Sequence, residues 1–140
     1  GLLVKLDTNG VNPVMVEQLI KDHLVDFFAM DVKHVWNHYP DVIGHAQSHV
    51  IENCKKTFDL LQKSSVPHEF RTTIYRGFHT LKDVEEIASY LQPGEHYALQ
   101  QIRYEKTLDP ALSQKPLLDI TSLLTSLQQK FPALAIETRG

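Results

Sequence analysis

The chain is poor in cysteine, since Cys54 is the only one among its 140 residues. A single cysteine excludes an internal disulfide and any zinc site or iron–sulfur cluster that is built from several cysteines of this chain. It is also typical of proteins that work in a reducing compartment, so we expect a cytoplasmic location. Cys54 lies in the middle of a predicted helix, and we interpret it as a buried apolar residue and not as a nucleophile.

Three further absences limit the function. No run of about 18 apolar residues occurs, which excludes a membrane-spanning helix. The net charge is −3 with a pI near 6.2, so the basic face that a nucleic-acid or membrane-surface binder needs is missing. The sequence contains no P-loop, dinucleotide-binding fingerprint, nucleophile elbow or HExxH pattern. We therefore expect neither nucleic acid nor membrane as a partner.

What is present is a regular alternation of strand and helix signals in one domain, residues 1–140, with 42% hydrophobic residues to form a core. Strands are predicted at 2–8, 25–33, 68–75, 97–103 and 134–138, helices at 13–24, 45–63, 80–91 and 117–130, and loops at 34–44 and 104–116. This βα alternation predicts an α/β fold with a parallel sheet. Because a closed eightfold barrel needs about 250 residues, the pattern leaves a doubly wound sheet, a partial barrel or a fragment of a barrel.

The chain opens on Gly1-Leu2-Leu3-Val4, without a methionine and already inside an apolar run. We expect from this that the chain is a fragment whose first strand lacks its natural neighbour. An unprotected strand edge recruits partners, so self-association through this strand is expected.

Polar side chains gather where each predicted strand ends. Parallel α/β proteins bind ligands at that edge of the sheet, because the loops after the strands converge there. The residues at the four strand ends are Asp7 and Thr8, then Asp31 and Lys33, then Arg71, and finally Gln100, Gln101 and Arg103.

Asp31 and Lys33 are two residues apart and so share one face of their strand. An aspartate beside a lysine can hold a zwitterion such as an amino acid, with the carboxylate on its ammonium group and the lysine on its carboxylate. The guanidinium of Arg71 could add a forked contact to a carboxylate or a sugar hydroxyl. The alternative is structural: Asp31 and Lys33 pair with each other, or Arg71 completes an ion network.

The chain has eight histidines, two pairs of which have helical spacing: His34 with His38, and His45 with His49. A metal site is one interpretation. Because 34–44 is predicted to be a loop and no HExxH pattern is present, solvated surface histidines are the preferred interpretation.

Several blocks of the sequence resemble the radical S-adenosylmethionine activating enzymes, and most of all the anaerobic ribonucleoside-triphosphate reductase activating proteins. The resemblance covers residues 2 to about 103, with the blocks in the expected order. They are LDTNG at 6–10, AMDVK at 29–33, EFRTT at 69–73, RGF at 76–78 and YALQ at 97–100.

The resemblance implies a partial (β/α)6 TIM-like barrel, of which this chain would form the C-terminal part. Members of this family cleave S-adenosylmethionine with a [4Fe–4S] cluster bound by a CxxxCxxC loop, and the 5′-deoxyadenosyl radical then takes hydrogen from a glycine of a partner enzyme. Carried over by motif, the cofactor-binding residues are Asp7, Thr8, Asp31, Lys33 and Arg71. The implied partners are a glycyl-radical enzyme, here anaerobic ribonucleotide reductase, and an electron donor such as flavodoxin or ferredoxin.

The chain departs from the family pattern in three places. CxxxCxxC is absent, and so is the GGEP-like stretch of the second strand, while Arg103 stands where some activases carry a histidine. We therefore expect that the first two βα units precede this segment, and that the segment alone, lacking the cluster ligands, is inactive. Residues 104–140 add a loop, a helix and a strand that suit the fold.

Two other interpretations stay open. The polar side chains at the strand ends could belong to a binding module that holds an amino acid or nucleotide without redox chemistry. Alternatively, the segment could be a structural domain without a ligand. A CxxxCxxC motif within about a hundred upstream residues is what the activase interpretation requires.

Overall fold

The fold was analysed in a computed structural model, which describes residues 1–44, 48–75, 77–102 and 119–140. Its strands are β1 (Lys5–Thr8), β2 (Phe27–Asp31), β3 (His68–Ile74), β4 (His96–Gln101) and β5 (Ala135–Arg139). Its helices are α1 (Pro13–Lys21), α2 (Tyr39–Ile43), α3 (Ser48–Lys63), α4 (Leu81–Ser89) and α5 (Ile120–Lys130), with a 3₁₀ turn at Trp36–His38.

The strands form one parallel sheet in the order β1-β2-β3-β4-β5. Each strand lies beside the next one in the chain, so right-handed connections place all the helices on the same side of the sheet. A doubly wound sheet would reverse its strand order at a switch point, whereas barrel strands follow one another in sequence. The order therefore distinguishes between the architectures that the sequence pattern left open, and it favours part of a barrel.

Two of the helices begin at side-chain caps. The Asn12 side chain accepts a hydrogen bond from the Met15 amide at 3.1 Å, and Pro13 occupies the first turn of α1. Thr80 and Asp83 form a reciprocal capping box at the start of α4. These local contacts fix where the chain turns back after β1 and β3.

The prediction of a loop over 34–44 was wrong, because this stretch contains the 3₁₀ turn and α2. Pro40 was read as a loop residue, but proline is tolerated in the first turn of a helix, where its missing N–H would be unpaired anyway. Tyr39 is buried and anchors this segment against the core. The first strand is also shorter than predicted, with residues 2–4 exposed ahead of it.

Alternation along the strands separates two faces of the sheet. One face is apolar and packs under the helices, through Phe28, Met30, Phe70, Tyr97, Leu99 and Ile136. The opposite face, here called the open face, carries charged and amide side chains at Lys5, Asp7, Asp31, Glu69, Arg71, Gln100, Glu137 and Arg139. Apolar burial thus holds the sheet from one side and leaves the other side for polar chemistry.

Within the described ranges, no helix is both long enough and apolar enough to cross a membrane.

Candidate functional site

The site is built around Arg71 on β3. Its Nε lies 3.0 Å and its Nη2 2.9 Å from Asp31 Oδ1, while its Nη1 lies 3.3 Å from Asp7 Oδ2. The register explains this convergence, since Asp31 is paired directly with Arg71 and Asp7 is paired with Ala29 on the same strand as Asp31. One guanidinium in the middle of β3 therefore links the C-terminal ends of β1 and β2.

Lys33 completes the group, with its Nζ 3.6 Å from Asp31 Oδ2. We call Asp7, Asp31, Lys33 and Arg71 the charged rim. The pairing of Asp31 with Lys33 and the ion network around Arg71, which the sequence left as a structural alternative, are both present. These ion pairs leave the charged rim accessible to a ligand. Asp7 is exposed, and the side chains of Asp31 and Lys33 remain about one-third exposed, at 31% and 37%.

The fifth predicted residue, Thr8, does not join the charged rim. It alternates with Asp7 and so faces the helices, and its hydroxyl accepts a hydrogen bond from the Gly10 amide at 3.0 Å. Gln100 lies on the open face in register with Thr73, whereas Gln101 points to the other face. Arg103 lies outside the described residues.

No family model matches the chain. A protein of Methanocaldococcus jannaschii that is provisionally named a glycyl-radical enzyme activating enzyme is 32% identical over 119 residues, which are 84% of this chain and 50% of the relative. Over this stretch the chain is similar to an activating enzyme. It spans about half the length of the curated relative that it matches.

A crystal structure supports the fold of this chain. A domain of a pyruvate-formate lyase-activating enzyme from Bacteroides vulgatus superposes on it with a TM-score of 0.68 at 13% identity, covering 100% of this chain and 83% of that domain. The expected α/β architecture, part of a TIM-like barrel, is thereby confirmed.

A second charged group on the open face was missed by the sequence analysis. Glu69 on β3 is buried and accepts two hydrogen bonds from Arg139 on β5, at 2.7 and 2.6 Å. Lys5 on β1 lies 3.6 Å from the same carboxylate, and Glu137 also pairs with Arg139. Hydrogen bonding by Arg139 lowers the pKa of Glu69 despite its burial.

This second group spans the sheet from edge to edge. Arg139 is in register with Gln100 on β4, yet it reaches past that strand to Glu69 on β3. Ala98 lies on β4 between Arg71 and Glu137, and its small side chain leaves room above it for the bridging groups. The only clue in the sequence was that Glu69 stands two residues before Arg71 and so shares its face.

Helix α3 holds the loop that follows β1. Thr57 donates its hydroxyl to the Gly10 carbonyl at 2.7 Å, Asn53 donates its amide to the Val11 carbonyl at 3.3 Å, and the Cys54 thiol lies 3.4 Å from the Asn9 carbonyl. Cys54 is buried, as predicted, and burial raises the pKa of its thiol. It therefore serves packing and loop positioning, and is unsuited to ligate a cluster.

Gly10 itself is required by this arrangement. Its φ is +82°, and a Cβ built at this position would lie 2.5 Å from Met30 Cε and 3.4 Å from Cys54 Cα. The DTNG block thus packs against Met30 and against α3, and these contacts fix the backbone that carries Asp7.

The histidine prediction needs a correction. His34 is buried and not solvated, because its ring stacks on His79 with centroids 4.7 Å apart, and His79 is buried too. His38 and His49 are exposed, and His45 lies outside the described residues. Within the described part of the chain, no group of three or more His, Cys, Asp or Glu residues is arranged to hold a metal ion.

Proposed function

We propose that the protein to which this chain belongs is a radical S-adenosylmethionine enzyme that activates a glycyl-radical enzyme. In this proposal residues 1–140 form one domain of that protein, and the charged rim, with Thr8 beside it, binds the methionyl end of the cofactor. The observation that supports this most is Arg71, which reaches from β3 to Asp7 and Asp31 at the ends of two neighbouring parallel strands, beside Lys33.

The residues of the rim suit a zwitterionic ligand. Asp31 offers a carboxylate to an ammonium group, and Lys33 offers an ammonium to a carboxylate on the same open face. Arg71 holds the two aspartates apart at fixed positions, so they can bind without first being ordered. S-adenosylmethionine, when bound beside a [4Fe–4S] cluster, supplies the radical chemistry; the chain's own residues bind and orient it.

The cluster does not fit the residues of this chain. Cys54 is the sole cysteine, and it is buried in α3 against the Asn9 carbonyl. The cluster ligands must therefore come from elsewhere in the protein, and this segment alone is expected to be inactive.

The finer assignments are part of the same proposal. They are anaerobic ribonucleotide reductase as the glycyl-radical partner, flavodoxin or ferredoxin as the electron donor, the cytoplasm as the location, and self-association through the exposed edge of β1. The support for the partner is the resemblance of the DTNG, DVK and EFRTT blocks, together with the name of the M. jannaschii relative.

Calorimetric titration of S-adenosylmethionine into the full-length protein tests the cofactor site. Lys33→Met and Asp31→Asn should each weaken binding about tenfold or more, because each removes one charge that faces the ligand. Lys55→Met is the matched control: Lys55 is 40% exposed and pairs with Glu52 at 3.3 Å, as Lys33 is 37% exposed and pairs with Asp31.

Unchanged affinity in Lys33→Met and Asp31→Asn would refute the assignment of the rim. Binding of a free amino acid or a nucleotide, with none of S-adenosylmethionine, would instead favour a binding module without redox chemistry.

A further inference from the structure

Two buried histidines connect the loops that follow β2 and β3. His34 lies immediately after Lys33, and its Nε2 contacts the Phe78 carbonyl in the loop after β3. His79 lies in that second loop, and its Nε2 is 2.8 Å from the Lys33 carbonyl in the first. Each loop thus contributes one imidazole and one carbonyl to the other, in a reciprocal arrangement.

The hydrogen bonds define the protonation state of both rings. The Nδ1 of His34 accepts from the Val35 amide at 2.8 Å, so the proton is on Nε2 and is donated to Phe78. In the same way the Nε2 proton of His79 is donated to Lys33, and its Nδ1, at 3.2 Å, accepts from the Tyr75 amide. His34 uses both ring nitrogens only as the neutral Nε2–H tautomer, whereas His79 Nδ1 also lies 3.3 Å from the Tyr75 carbonyl, to which a protonated ring can donate.

These contacts fix the backbone of Lys33. Its carbonyl accepts from His79 at 2.8 Å, and its amide donates to the hydroxyl of buried Tyr39 at 3.0 Å. The preceding carbonyl, that of Val32, accepts from Thr72 at 2.8 Å. The backbone from which the Lys33 ammonium extends is therefore held by three side chains, at a point where β2 has already ended.

We propose that His34 and His79 form a neutral, stacked clamp that positions Lys33 on the charged rim, and that protonation of His34 releases it. They are positioning residues and touch no ligand themselves. The effect on ligand binding rests on the proposed function of the rim, whereas the clamp itself does not.

The surroundings explain why the clamp is sensitive to acid. Protonation of His34 Nδ1 would set an N–H against the amide of Val35, inside the protein, and would place a charge 4.7 Å from the other ring. Burial lowers the pKa of His79, which keeps it neutral near pH 7. The other titratable groups that face the pair among the described residues are Lys33, His38, Tyr75 and Asp83.

Nitrogen-15 NMR of the imidazoles tests the clamp without any ligand. In the chain as it stands, His34 should be the Nε2–H tautomer at pH 7, and the lowered pKa of His79 should keep it neutral at a pH where an ordinary exposed histidine is protonated. An Nδ1–H tautomer of His34, or a pKa of His79 that is not lowered, would overturn the proposal.

Variants test the positioning role. His79→Phe keeps the ring and the stacking but loses both hydrogen bonds, so the Lys33 amide should exchange with solvent at least about tenfold faster and S-adenosylmethionine should bind the full-length protein about tenfold more weakly. His79→Gln can still donate to the Lys33 carbonyl and should restore most of the affinity. His38→Phe is the control, since His38 stacks on His34 but pairs only with exposed Asp41.

The two failures are distinguishable. If the wild-type protein binds no S-adenosylmethionine, the proposed function falls, while the tautomers and the exchange of the Lys33 amide still decide the clamp. If the wild type binds and His79→Phe binds equally well, with unchanged exchange at Lys33, the positioning role is refuted.

Discussion

Among single residues, Glu69 links strands that lie farther apart on the open face than the strands linked by any residue of the charged rim. Its buried carboxylate joins Lys5 on the first strand to Arg139 on the last. A buried carboxylate is stable only when it is paired, so removal of its charge leaves Arg139 with the exposed Glu137 alone.

Glu69→Gln should therefore lower the free energy of unfolding by about 1–3 kcal/mol, less than for a fully buried pair because Arg139 can regain water. Glu137→Gln, which alters the other and exposed partner of Arg139, should cost about 0–1 kcal/mol. Urea unfolding measures both, and equal losses would contradict the central role of Glu69.

The effect should also depend on pH in a fixed direction. The pKa of Glu69 lies below its ordinary value of 4.5 in the folded chain, so its contribution is complete above that value. It is lost as the pH falls through the lower, folded pKa. The stability difference between wild type and Glu69→Gln should thus disappear in acid.

Residue positions were predictable where alternation along one strand decides them. Asp31 and Lys33 share a face as expected, and Arg71 meets them because parallel strands end at one edge. The pairs Glu69–Arg139 and His34–His79 were missed for one reason: each joins residues far apart in the chain, and the meeting depends on which strands and loops are neighbours. No periodicity contains that information.

At the scale of secondary-structure elements, the link between the β1 loop and α3 depends on Gly10. A side chain there must accept both a positive φ and contact with Met30. Gly94 offers a matched comparison, because its φ is +86° and a Cβ would meet nothing within 4 Å.

Gly94→Ala should therefore cost about 1–2 kcal/mol from backbone strain alone. Gly10→Ala should cost about 1 kcal/mol more, since buried Met30 must move. Thermal or urea unfolding of the two variants isolates the packing component. Equal destabilisation would mean that Met30 adapts without cost.

Helix starts were predicted well where capping residues mark them and poorly where one residue is compatible with both a loop and a helix. The helices predicted at 13–24 and 80–91 start within one residue of α1 and α4, which Asn12 and Thr80 cap. Pro40 was ambiguous, since proline suits both a loop and the first turn of a helix. Burial of Tyr39, a tertiary effect, selected the helix.

For the whole molecule, the open edge of the sheet at β1 has a consequence for assembly. Leu2 and Leu3 precede this edge and are 97% and 85% exposed. A strand edge flanked by exposed leucines favours pairing with a second copy.

Light scattering should therefore show the mass of the chain rising with concentration. Leu3→Lys should suppress the rise, because a charge at a strand edge opposes pairing. Val14→Lys, at a helix position that is 76% exposed, should leave it unchanged. A strictly monomeric wild type would refute self-association.

The strand order has a further consequence, for the folding route. Every strand pairs with its predecessor in the chain, so each pairing closes a loop of roughly 20 to 40 residues that contains its own helix. Loops of this size give an intermediate contact order, and no pairing has to wait for a distant strand. The sheet can therefore grow outward from any adjacent pair of strands, one βα unit at a time, with the Glu69–Arg139 bridge forming late because it needs three strands in place.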